Sequence, residues 1–143
     1  MIEQDYLTRL ILQFVAAVAR TRDLSKRQPA EAAEALEDAM SQALDLDLEV
    51  VLGLQPESFA SIVDVSGTDP RLIEYVMRTM VLEAYYLDLA GNHGKARLRR
   101  RQADELAHTF DLDPVDASDI PADGFEADFS AMMSEDGISE RFN

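Results

Sequence analysis

The chain has 143 residues, no cysteine, 47 % apolar residues and a formal charge of −15. The missing thiols exclude a disulfide scaffold, a cysteine nucleophile and a thiolate zinc site. The negative balance disfavours nonspecific binding to a DNA or RNA backbone, so nucleic acid is an unlikely partner class. Leu, Ala, Glu, Arg, Met and Gln dominate, and alternating Val/Ile/Thr runs are nearly missing. The expected fold class is therefore all-α, a helical bundle of five or six helices.

The opening MIEQDYLTRLILQFVAAVAR raises the question of export or membrane anchoring. Glu3 and Asp5 stand where a secretory signal needs positive charge, and Leu10–Ala19 is too short to span a bilayer. Leu7, Leu10, Ile11, Phe14, Val15 and Val18 instead recur at helical spacing, which predicts a core-facing first helix. Residues 23–28 read as a polar connection. Pro29 then opens a second helix over 30–44. In LDLDLEVVLGL, leucines alternate with aspartates as in a strand, but a lone strand has no partner, so a short helix near 46–52 stopped by Gly53 is expected. Pro56 opens a fourth helix carrying Phe59, Ile62 and Val63. After the loop 65–70, residues 70–90 are apolar around most of the helix axis, which marks a helix buried among others. GNHG (91–94) reads as a turn, and 95–110 as the last helix, with Pro114 ending any continuation.

Residues 111–143 hold ten acids against Arg141, a net −9, leaving −6 for residues 1–110. This division predicts a helical domain over 1–110 and an acidic C-terminal tail over 111–143. Phe125 and Phe129 make the tail more apolar than solubility requires, and the tail is expected to pack on the basic helix 95–110. The sharpest local feature is KARLRRRQ: Lys95, Arg97, Arg99, Arg100 and Arg101 place five cations within seven residues. With Phe125 and Phe129 they form the candidate interaction set. The run can equally be a solvated helix face.

Two stretches carry a resemblance. MIEQDYLTRLI and LDLDLEVVLGLQPESFASIV resemble a family of small Gram-positive bacterial proteins of unknown function, over residues 1–108; this implies an all-helical cytoplasmic protein and supplies no activity. MVLEAYYLDLAGNHGKARLRRRQADELA resembles one tetratricopeptide helix pair. Ala84, Leu87, Gly91, Ala96 and Ala103 match its small, bulky and turn positions, whereas Glu83, Arg100 and His108 depart from it. No second copy at a 34-residue period follows, so a helix pair within a bundle, or a tetratricopeptide-like stack, is expected rather than an array.

Chemistry is hard to find. His93 and His108 lie too far apart for a shared metal on one helix turn, GNHGKA lacks the first glycine and the hydroxyl of a phosphate loop, and DLDPVDASD breaks the calcium-loop pattern. No catalytic, cofactor-binding or metal residue is expected, and no cofactor. The function class expected first is a noncatalytic cytoplasmic protein–protein interaction module with an unknown protein partner, and a homodimer is a further expectation. The alternatives are a small-ligand binder or enzyme with a pocket near Tyr85, His93 and Arg97, and a nucleic-acid-linked regulator using Lys95–Arg101.

Overall fold

The computed structural model describes residues 2–115, with side chains from Tyr6 onward. Phe125, Phe129 and most of the acidic tail lie outside the described residues. Within them the chain forms six helices and no strand: α1 (Ile2–Arg27), α2 (Pro29–Leu44), α3 (Leu48–Val51), α4 (Pro56–Val65), α5 (Pro70–Leu89) and α6 (His93–Thr109). The all-α bundle is what the composition and periodicity imply. None of the described helices is long and apolar enough to cross a membrane.

The helices start and stop for local reasons. α1 runs through the expected connection 23–28 as far as Arg27. Thr21 is buried there and Leu24 packs against the core, so the apolar stripe continues past the polar letters. The break falls on Gln28 alone (φ −138°, ψ 72°), because the residue before a proline avoids the helical region. α2 is closed by Asp45 in a left-handed conformation (φ 53°), and Ser41 O accepts the N–H of Leu46. Ser41 Oγ also accepts the N–H of Leu48 at 3.2 Å, satisfying the start of α3. This turn explains the Leu/Asp alternation: Leu44 and Leu48 are buried and Asp45 and Asp47 exposed without any strand. Asp69 caps α5 by accepting the Arg71 N–H at 2.9 Å, with Pro70 behind it at the first helical position. Gly91 (φ +85°) reverses the chain after α5. Asn92 caps α6, so His93 and Gly94 belong to its first turn rather than to the loop.

α5 is the centre of the molecule. Thirteen of its twenty residues are buried, on all sides of its axis. α2 and α6 flank it, α1 packs on the outer side of α2, and α4 packs on α6. Burying side chains such as Phe59, Ile73, Met80 and Leu82 contributes about 1.5–3 kcal/mol each. α6 ends at Thr109, five residues before Pro114. Asp111 adopts φ 55°, Leu112 N–H bonds back to Ala107 O at 2.8 Å, and Leu112 and Val115 lie against the core. The described body thus continues a few residues past Phe110, and a left-handed closure, not the proline, stops the helix.

Candidate functional site

The α5–α6 hairpin presents two polar clusters on opposite sides. The inner one is built around Arg99, which is only 3 % exposed, and Glu83, which is 0 % exposed. Arg99 Nε donates to both Glu83 oxygens at 3.1 and 3.0 Å. Its Nη1 donates to Leu52 O at 2.9 Å and Gln102 Oε1 at 3.2 Å, and Nη2 donates to Glu37 Oε2 at 3.2 Å. Gln102 Nε2 donates to the carbonyls of Leu52 and Leu54, both at 2.9 Å. Lys95 Nζ reaches Glu37 Oε2 at 3.3 Å from the rim. One guanidinium therefore ties α2, α5, α6 and the α3–α4 connection together. A buried charge is tolerated only when its donors are consumed in this way.

Two carboxyl groups meet in this cluster. Burial first, and then the neighbouring Glu37, push the Glu83 carboxyl well above the usual carboxylate range, against the pull of Arg99. For Glu37 partial burial acts in the same direction, but the Glu83 hydrogen bond, Arg99 and Lys95 outweigh it and hold Glu37 below its ordinary value. Burial dominates at Glu83 and the hydrogen bond and cationic neighbours dominate at Glu37, so the two carboxyl groups shift in opposite directions.

The outer cluster is centred on Asp88. His93 Nδ1 donates to Asp88 Oδ1 at 2.8 Å, and Arg100 Nη2 bonds Asp88 Oδ2. Arg100 and then His93 hold the Asp88 carboxyl below its usual range. Tyr85 lies one turn before Asp88 on α5, and Arg97 lies between His93 and Arg100 on α6. Helical spacing therefore puts Tyr85, His93 and Arg97 on this same face. Tyr85 is 44 % exposed and Leu89, one turn on, 53 %. The two cavities described, lined by residues of α1 and α2, lie elsewhere.

The basic run is thus divided by the fold. Arg97 and Arg101 are exposed; Arg100 is half-buried against Asp88; Lys95 is engaged by Glu37. Arg99 is a correction to the candidate interaction set, because it is sealed in the core and no partner can reach it. Glu37, Glu83 and Gln102 were not among the sequence candidates. The available signal was Glu83 itself, the single charge within the apolar stretch 80–87 of α5, which demands a buried cation. Among the described residues no group of three or more His, Asp or Glu side chains is arranged to hold a metal. Comparison of the chain with family models, curated proteins and solved structures finds no match.

Proposed function

We propose that the chain is a noncatalytic cytoplasmic protein–protein interaction module whose docking face is the outer side of the α5–α6 hairpin. The observation that carries this reading is the exposed Tyr85–Leu89 pair beside the exposed cations Arg97 and Arg101. Tyrosine and arginine are the side chains that most often dominate binding energy at interfaces. In a chain of net charge −15, a local cation pair next to apolar surface suits a partner segment that presents acidic and apolar side chains together. The inner cluster supports the same reading, since its donors and acceptors face one another and serve to hold helices in place.

Tyr85, His93 and Arg97 share this face, which favours a small-ligand site as the second reading. A nucleic-acid role is weaker, because of the five cations only Arg97 and Arg101 remain fully exposed. The test replaces Tyr85 with a photo-crosslinking amino acid and irradiates the protein in a lysate of its source organism. The expected result is a defined protein adduct that disappears when Arg97→Glu is added, at unchanged melting temperature. Adducts that ignore Arg97→Glu overturn the proposal. Saturable protection of position 85 by a small-molecule fraction of the lysate favours the ligand reading instead.

A further inference from the structure

A second surface lies at the far side of the molecule, independent of the hairpin face. α1 and α2 are joined by Gln28 alone and run antiparallel, so residues equally distant from Gln28 stand at the same height. Between them runs an open groove of about 310 Å³, continued by a narrower cleft towards Leu10 and Phe14. Leu10, Gln13, Ala17, Arg20 and Leu24 line the α1 wall at steps of 3, 4, 3 and 4 residues, the spacing of a coiled-coil seam. The seam is about 21 Å long at 1.5 Å per residue. Ile11, Phe14 and Val18 turn fully into the core, whereas Leu10, Ala17 and Leu24 are only partly buried against it and leave an edge open to the groove.

The two walls carry complementary side chains: Arg20 and Leu24 of α1 and Ala35 and Asp38 of α2 line the same groove, with Arg20 and Asp38 within about one helical turn of the same height. Towards the other end Ala17 stands near Ala39, and Gln13 near Gln42. Arg20 and Asp38 are both exposed, and no ion pair joins them across the groove. Such a surface is self-complementary. A two-fold axis parallel to the helices lays α1 of one copy over α2 of the other at equal heights. Each Arg20 then faces the partner's Asp38, each Gln13 faces the partner's Gln42, and small residues let the backbones approach.

We infer that the α1–α2 groove is the interface of a symmetric homodimer, a four-helix bundle formed by two hairpins, with the reciprocal Arg20–Asp38 pairs setting its register. The occupant is a second copy of this chain because the groove offers one charge of each sign, within about one helical turn of each other, which a two-fold operation pairs twice. The net charge of each copy opposes association at low ionic strength, so the measurement belongs near 0.15 M salt, where the Debye length is about 8 Å.

The experiment is sedimentation equilibrium of the full chain, with melting temperatures as the control on folding. Wild-type protein is expected to dimerise. Arg20→Glu, which creates two like-charge contacts per dimer, is expected to raise the dissociation constant roughly tenfold or more. Asp38→Arg is expected to do the same, and the double variant Arg20→Glu/Asp38→Arg to restore dimerisation. A protein that stays monomeric overturns the inference, including one whose groove is shown by crosslinking to be covered by residues 116–143. So does a dimer indifferent to both single reversals. The Arg97→Glu variant of the hairpin face should dimerise normally, which keeps the two proposals separable.

Discussion

Glu83 decides how the inner cluster responds to change. Its carboxyl is raised by burial, so its contribution to stability is fully present below its ordinary value of 4.5 and is lost as pH rises through the folded-state value. Glu37 is depressed, so its contribution is present above 4.5 and is lost as pH falls through its lowered value. The pair therefore stabilises most near 4.5 and progressively less towards alkaline pH. Glu83→Gln keeps the neutral hydrogen-bonding shape and removes the ionisation. It is expected to fold normally and to flatten the decline in denaturant midpoint above about pH 5. Glu83→Ala removes both oxygens that accept from the buried Arg99 Nε and is expected to cost about 3–5 kcal/mol in urea unfolding. Equal losses for the two variants would show that the charge on Glu83, not its shape, holds the cluster.

At the level of elements, the α5–α6 hairpin depends on how its central helix begins and ends. Gly91 sits at φ +85° with open space where a Cβ would point, so Gly91→Ala meets backbone strain and no clash. The expected cost is about 1–2 kcal/mol, the left-handed penalty of an L-residue. Asp69→Ala removes the cap from the other end of α5, at about 1 kcal/mol. The two sites are a helix length apart and share no partner, so thermal or urea unfolding of the double variant should give the sum. The start and stop of α5 were legible because Asp-Pro and Gly carry their conformations with them. The start of α6 was not, because His93 and Gly94 are poor helix formers that enter the helix only once Asn92 caps it.

Across the whole molecule, a formal charge of −15 on 143 residues makes carboxylate repulsion a general load on the folded state. Salt screens that repulsion, while the Arg99 cluster is shielded from it by burial. The melting temperature is expected to rise from 10 mM to 0.5 M sodium chloride, by roughly 4 °C for each kcal/mol relieved. A fall over the same range would mean that exposed pairs such as Lys26–Asp23 and Arg71–Asp69 outweigh the repulsion.

The amphipathic pattern by itself determined that this chain is helical, where five of its six helices lie to within a few residues, and that 70–89 is central. Those properties depend on the period of apolar residues and on prolines, both local. The fate of the basic run was decided only by the tertiary structure. A helix turns about 100° per residue, so Arg97 and Arg101 share an outward face while Arg99 points nearly opposite, and a linear string of cations does not say which one meets the core. Glu37 and Glu83 are 46 positions apart, and Leu52 lies 47 positions from Arg99; nothing local links them. Only the packing of α2, the α3–α4 connection, α5 and α6 around one guanidinium brings them together, because a buried charge takes its partners from whatever elements surround it.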